Sequence, residues 1–182
     1  MSYLDRMESI YGSFTRQEGE VLYKYASQCK KGSTVVEIGC LSGRSTSVLG
    51  EAQLQNKFKL IVIDPFVDSS PNVARENMQE HFVGNMIGIG CEYKLYPDVA
   101  ENVVKKIKQK IDLLLVDGDH STSGVAMDRK CWFPKVKRGG IIVWHDYNSS
   151  WLEVKINVDD MVENGELSIL EIANSMVITK KL

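Results

Sequence analysis

No stretch of the 182 residues approaches 18 consecutive apolar positions, so no segment is expected to cross a membrane as a helix. No run of Lys and Arg stands out and the formal charge is −2, so nothing calls for nucleic acid as a partner. The amino terminus, MSYLDRMESIYGSF, lacks a charged segment followed by an apolar run, which leaves a cytoplasmic chain as the expectation. Cysteine is sparse: Cys29, Cys40, Cys91 and Cys131 form no Cys-x-x-Cys pair, so neither a zinc site nor a disulfide framework is expected. Internal repeats, low-complexity tracts and linkers are missing as well. What remains is 43% apolar and 25% charged residues, the balance of an ordinary globular chain, expected to form a single domain over 1–182.

Five apolar runs recur along the chain: Thr34–Ile38, 60–63, 93–95, Ile111–Val116 and 141–144. Helical patterning separates them at 45–55, 72–86, 99–109 and 125–136, with Gly139-Gly140 expected to end the last of these helices. A further helix is expected at 16–29 and another at 151–163, followed by two apolar runs, 167–172 and 176–179, that read as a hairpin. Strand alternating with helix implies an α/β fold, Rossmann-like and doubly wound, mostly parallel with a terminal antiparallel hairpin.

In open α/β sheets ligands bind beyond the carboxyl ends of the strands. Polar residues gather at all five ends here: Gly39 to Gly43 after the first, Asp64 after the second, Asp98 after the third, Asp117 to His120 after the fourth, and His145 with Asp146 after the fifth. The first loop, VVEIGCLSGRS, spaces Gly39 and Gly43 four apart and lacks the central glycine of G-x-G-x-x-G, which disfavours a nicotinamide or flavin dinucleotide. An adenosine ligand without a pyrophosphate needs only close backbone approach and an acid for its ribose. Asp64, about twenty residues on, is placed for the latter. A tight turn without a ligand would also explain the two glycines.

The pattern E-x-G-x-x-x-G-x-S of Glu37, Gly39, Gly43 and Ser45, with a following strand ending in Asp64, resembles the class I S-adenosylmethionine-dependent methyltransferases. The stretch VDGDHSTSGVAMDRKCWFPKVKRGGIIVWHDY is similar to the small metal-dependent O-methyltransferases of the catechol, caffeoyl-CoA and macrocin types. The resemblance implies a seven-stranded sheet and S-adenosylmethionine as cofactor. It implies that Glu37, Gly39 and Gly43 belong to the cofactor loop, that Ser45 bonds the methionine carboxylate, and that Asp64 holds the ribose. Asp98 stands where relatives contact the adenine, and equally where a side chain would cap the next helix with Glu101 three residues on. Asp117 borders both cofactor and acceptor.

Asp117 and Asp146 end neighbouring strands, and two close carboxylates repel unless they share a proton or a cation. A divalent ion held by carboxylates resolves the repulsion. By resemblance the metal ligands are Asp117, His145 and Asp146, with His145 in place of the usual acid; the ion is then Mg²⁺, or Mn²⁺ if the imidazole ligates. His120, three after Asp117, occupies the place of the family's catalytic base and has an ordinary pKa suited to that work. The alternative is a polar helix start. His81 reads as a surface or packing histidine, and Trp132, Trp144 and Trp151 as core rather than pocket. The expected reaction is methyl transfer to a hydroxyl of a small molecule. Two alternatives stand beside it: a metal-independent methyltransferase acting on nitrogen, and a non-catalytic cofactor-binding module. The short amino-terminal part leaves the acceptor pocket open or covered by a second copy in a homo-oligomer.

Overall fold

A computed structural model describes residues 1–67 and 77–182. Seven strands form one sheet in the order β3-β2-β1-β4-β5-β7-β6. They are β1 (Thr34–Ile38), β2 (Lys59–Ile63), β3 (Tyr93–Tyr96), β4 (Ile111–Val116), β5 (Val136–Trp144), β6 (Leu167–Ala173) and β7 (Met176–Lys181). The first five are parallel, and β7 inserts antiparallel between β5 and β6. The expected fold is therefore present, hairpin included. Asn174, at φ +50°, makes the turn that joins β6 to β7.

The alternation of side chains along each strand divides the core into two layers. Val35, Val62, Leu113, Leu115 and Val143 face α1 (Tyr3–Ser9), α2 (Arg16–Ala26), α3 (Arg44–Asn56) and α4 (Met78–Ile89), which contribute Met7, Leu22, Leu49 and Phe82. Val36, Ile38, Leu114, Val116 and Ile142 face α5 (Ala100–Val103), α6 (Thr122–Trp132) and α7 (Leu152–Glu163), which contribute Val103, Trp132 and Val158. Each fully buried residue of this kind contributes roughly 1.5–3 kcal/mol relative to exposure. The switch point of the sheet lies between β1 and β4, and that places the site.

The expectations at 99–109 and at 125–140 need correction. The helix at 99–109 is a single turn, α5. Its N-cap is Val99, with no side-chain cap; Asp98 instead accepts from the Val99 amide at 2.9 Å and from the Asn102 side chain at 2.9 Å, so it does not cap in the expected box. The helix at 125–136 begins earlier and stops at Trp132, because Pro134 cannot continue it and a 3₁₀ turn, Phe133–Lys135, follows. Gly139 and Gly140 consequently do not end a helix but lie inside β5, where register shifts from Ile111 opposite Val136 to Leu113 opposite Ile141. The bulge needs them: Gly139 has φ +76°, and a Cβ on Gly140 would lie 2.7 Å from Val136 Cγ1. A helix not expected from the sequence is α1, opened by a Ser2–Asp5 capping box, which the periodicity of so short a segment does not reveal. Part of the helix expected at 72–86 lies outside the described residues, and the described part runs from Met78 to Ile89.

Candidate active site

The loop between β1 and α3 is held in an uncommon backbone conformation. Gly39 has φ +82° and Gly43 φ +92°, and Leu41 between them sits at +49°. A Cβ on Gly39 would lie 1.9 Å from the Asp117 carbonyl oxygen, so the loop rests directly on the end of β4. A Cβ on Gly43 would meet Met86 and Phe82 of α4 at 2.9 and 3.0 Å.

The acids that the sequence assigned to the cofactor are turned to this loop. Asp64 accepts from the backbone N–H of Cys40 at 2.8 Å, Leu41 at 2.9 Å and Phe66 at 2.7 Å. Glu37 has no exposed surface and accepts from the hydroxyls of Ser45 and Thr46. Burial, against the help of those two hydroxyls, pushes the Glu37 carboxyl up to about 8. Ser45 thus spends its hydroxyl on Glu37 and is itself buried. Asp98 stands apart, half-buried, paired with Lys106 at 3.2 Å and held below the usual carboxylate range by Asn102 and then Lys106.

At the ends of β4 and β5 four groups converge. His120 Nε2 lies 3.5 Å from Asp117 Oδ1 and 3.3 Å from Asp146 Oδ2. His145 Nδ1 lies 3.2 Å from the same oxygen of Asp117 and 3.4 Å from that of Asp146. Asp146 reaches this place through a left-handed backbone, φ +59°. Asp117, His120 and Asp146 each offer a metal-ligand atom, all within 4.8 Å of one another. Among the described residues His120 Nε2 is buried without a hydrogen-bond partner although it faces two carboxylates. The donor set fits a divalent ion.

The set differs from the expected one, with His120 joining Asp117 and Asp146 where His145 was anticipated. His145 is 2% exposed, stacks on Phe14 at 4.9 Å, and turns Nε2 toward Glu18 at 3.6 Å. Burial opposes its charge, but Asp117, Asp146 and Glu18 outweigh burial and push its pKa up to about 12. Its Nδ1 lies as close to the two carboxylates as His120 Nε2 does, while its other nitrogen is directed at Glu18. Glu18 is the counterpart, brought down to about 2 by His145 and its hydrogen bonds despite burial. His120 is raised too, burial opposing and Asp117 with Asp146 prevailing, and Asp117 is lowered by the two imidazoles against its burial.

Sequence reasoning missed several participants. Glu18 carries a visible signal, the Thr15-x-x-Glu18 capping box, which accounts for only part of its role. Asp128 shares the inward face of α6 with Val125 and Trp132; burial, then Glu101 and Asp119, raise its carboxyl to about 7. Trp132 and Trp144 are buried as expected, but Trp151 is 43% exposed and leans over His120 with ring centres 4.8 Å apart. His81 is exposed on α4, and the four cysteines are free.

The seven-stranded sheet with its inserted hairpin is the class I methyltransferase fold. The family described as "Methyltransferase domain" matches residues 36–147, and the chain belongs to it. A curated relative, an uncharacterised protein of Acanthamoeba polyphaga mimivirus, is 28% identical over 145 residues, which is 77% of this chain and 63% of that protein. The chain thus spans less than two thirds of that relative's length. Among solved structures, the SAH-bound methyltransferase PaMTH1 of Podospora anserina matches with a TM-score of 0.71 at 17% identity, over 99% of this chain and 86% of that one. An O-methyltransferase from Bacillus cereus in complex with SAH matches with a TM-score of 0.74 at 12% identity, over 100% and 91%. At such identities these structures attest the fold.

Proposed function

We propose that the protein transfers the methyl group of S-adenosylmethionine to a hydroxyl of a small molecule, assisted by a divalent metal. The observation that carries this reading is the abutment of two features: the Gly39 loop lies against the backbone of Asp117, whose side chain converges with His120 and Asp146. Cofactor loop and metal-capable cluster are therefore neighbours, as transfer between a bound donor and a bound acceptor requires. Asp64 already accepts three amide hydrogens, and a carboxylate offers about four acceptor positions, so one remains for a ribose hydroxyl. Asp117, Asp146 and His120 would hold the ion. When bound, it lowers the pKa of an acceptor hydroxyl. Trp151 supplies a flat apolar surface beside the cluster on which an acceptor ring can rest.

A base role and a ligand role for His120 compete for the same nitrogen, Nε2, and its position between two carboxylates favours the ligand. An imidazole in the set also favours Mn²⁺, Fe²⁺ or Zn²⁺ over Mg²⁺. The metal-independent reading draws on one observation of its own, that His145 Nδ1 stands within 3.2 and 3.4 Å of the two carboxylates.

Methyl-labelled S-adenosylmethionine, offered with a panel of catechols and other small hydroxylated acceptors, tests the proposal before and after exhaustive chelation. Label in the acceptor that disappears on chelation and returns with Mn²⁺ supports it. Full transfer after chelation removes the metal, and tighter binding of NAD than of S-adenosylmethionine overturns the reading entirely. If His120 is a ligand, His120→Ala weakens Mn²⁺ binding. If it is the base, the variant binds Mn²⁺ normally and loses the acidic limb of its pH–rate profile.

A further inference from the structure

Glu18 is a fully buried carboxylate in the first turn of α2, far in sequence from every residue of the cluster. A buried carboxylate is costly unless its oxygens are satisfied. Its Oε2 accepts from the Thr15 amide at 2.7 Å and the Thr15 hydroxyl at 2.8 Å. Its Oε1 accepts from the Ser175 amide at 3.1 Å and the Ser175 hydroxyl at 2.8 Å, tying α2 to the turn between β6 and β7. Those four bonds explain a capping and docking residue. They do not explain why the same Oε1 faces His145 Nε2 at 3.6 Å, a buried nitrogen that has no hydrogen-bond partner among the described residues.

The His145 ring is fixed on every side the structure records. Phe14 stacks on its face, its own backbone N–H reaches the Val116 carbonyl at 3.1 Å, Glu18 stands at Nε2, and Nδ1 is left pointing at Asp117 and Asp146. Turning the ring over would set Nδ1 against Glu18 and leave both site carboxylates without their shared neighbour. Ligating carboxylates are themselves held by outer-shell partners, the place that His145 takes beside Asp117 and Asp146.

We propose that Glu18 is a positioning residue of the metal centre: through His145 it keeps Asp117 and Asp146 converged on one ion. The inference rests on the metal reading given above and adds a residue that reaches the site from the amino-terminal helix. The acceptor, the cofactor and the ion need never touch Glu18.

Calorimetric titration with Mn²⁺, at a temperature where every variant is folded, tests it. Glu18→Ala should weaken Mn²⁺ binding by about 10-fold, the low end of the range for loss of an outer-shell partner, because Glu18 acts through His145. S-adenosylmethionine affinity should stay within a few-fold, since the Gly39 loop is held by Asp64 and Glu37. Glu18→Gln keeps an oxygen for Nε2 and should recover most of the Mn²⁺ affinity. The control is the double variant Thr15→Val with Ser175→Ala. It removes the two hydroxyl contacts and keeps the two backbone-amide bonds that hold Glu18 facing His145, so it should lower the melting temperature while binding Mn²⁺ like the wild type. Wild-type Mn²⁺ affinity in Glu18→Ala overturns the role of Glu18 and leaves the metal reading intact. A control that loses as much affinity as Glu18→Ala shows general loosening and also overturns it. If the wild type binds no Mn²⁺, the metal reading itself fails and the role of Glu18 falls with it.

Discussion

The two ends of the sheet treat charge in opposite ways. At the carboxyl ends of the strands Glu37, Asp64, Asp117, His145 and Asp146 are wholly or largely buried and bonded to one another, to loop amides or, for Glu37, to the Ser45 and Thr46 hydroxyls. Leu41, Phe66 and Asp146 hold left-handed backbones there, each at a cost of order 1–3 kcal/mol. At the amino ends, lysines face solvent or reach main-chain carbonyls: Lys110 to Pro134 at 3.0 Å, Lys135 to Ile107 at 2.6 Å, Lys181 to Phe133 at 2.8 Å. Buried charge thus gathers at the end where ligands bind in such folds, with three left-handed backbones beside it, while the amino end has Lys57 at φ +54° just before β2. The other end needs only to be soluble.

Substitutions at the two ends should therefore differ sharply. The largest expected effect is that of Asp117→Asn, nearly isosteric, which should reduce Mn²⁺ affinity by more than about 100-fold, beyond the range for outer-shell partners, while circular dichroism stays native. Retained affinity would remove Asp117 from the ion's ligands. Next comes Gly39→Ala. Its φ of +82° and the 1.9 Å overlap with Asp117 O should together cost roughly 3 kcal/mol or more, read as a lower midpoint in urea.

Glu37→Gln sharpens the comparison through pH. The unfolded carboxyl releases its proton near its ordinary value of 4.5, while the folded one holds it to about 8. Between those values the native state binds more protons than the unfolded, so stability falls as pH rises through this window and the loss is complete above it. The difference is at most roughly 5 kcal/mol, from about 1.36 kcal/mol per pKa unit. Glutamine has no such titration, and the Ser45 and Thr46 hydroxyls can reorient to accept from its amide. Urea unfolding at pH 5 and pH 9 should show a clearly smaller pH difference in Glu37→Gln than in the wild type. An unchanged difference would mean that Glu37 is not the group that titrates. The smallest effect belongs to the amino end, where exposed Lys108→Ala should alter stability by no more than about 0.5 kcal/mol and leave Mn²⁺ affinity alone.

Much of this was legible in the chain itself. The runs from TVVEI to IIVW are apolar because both faces of those strands are covered, and side-chain period then fixes parallel strands between helices. The acids at strand ends were legible for the same reason, since a carboxylate after a buried strand must find a partner. What stayed hidden depends on contacts between distant segments. Glu18 and His145 are 127 positions apart by their numbers (145 less 18), and no local pattern links them. Ser45 looked free to meet a ligand because its bond to Glu37 appears only when α3 packs over β1. The convergence of His120 and His145 was likewise hidden: only the fold shows that a nitrogen of each meets both carboxylates.

The central claim is that one ion, held by two strand ends, stands beside the cofactor loop. Crystals grown with Mn²⁺ and S-adenosylmethionine, with diffraction recorded near the manganese absorption edge, test it most directly. The account predicts one anomalous peak among Asp117 Oδ1, Asp146 Oδ2 and His120 Nε2, with the cofactor's ribose at Asp64. A peak elsewhere, or carboxylates bridged by His145 with no peak in fully loaded crystals, would contradict it.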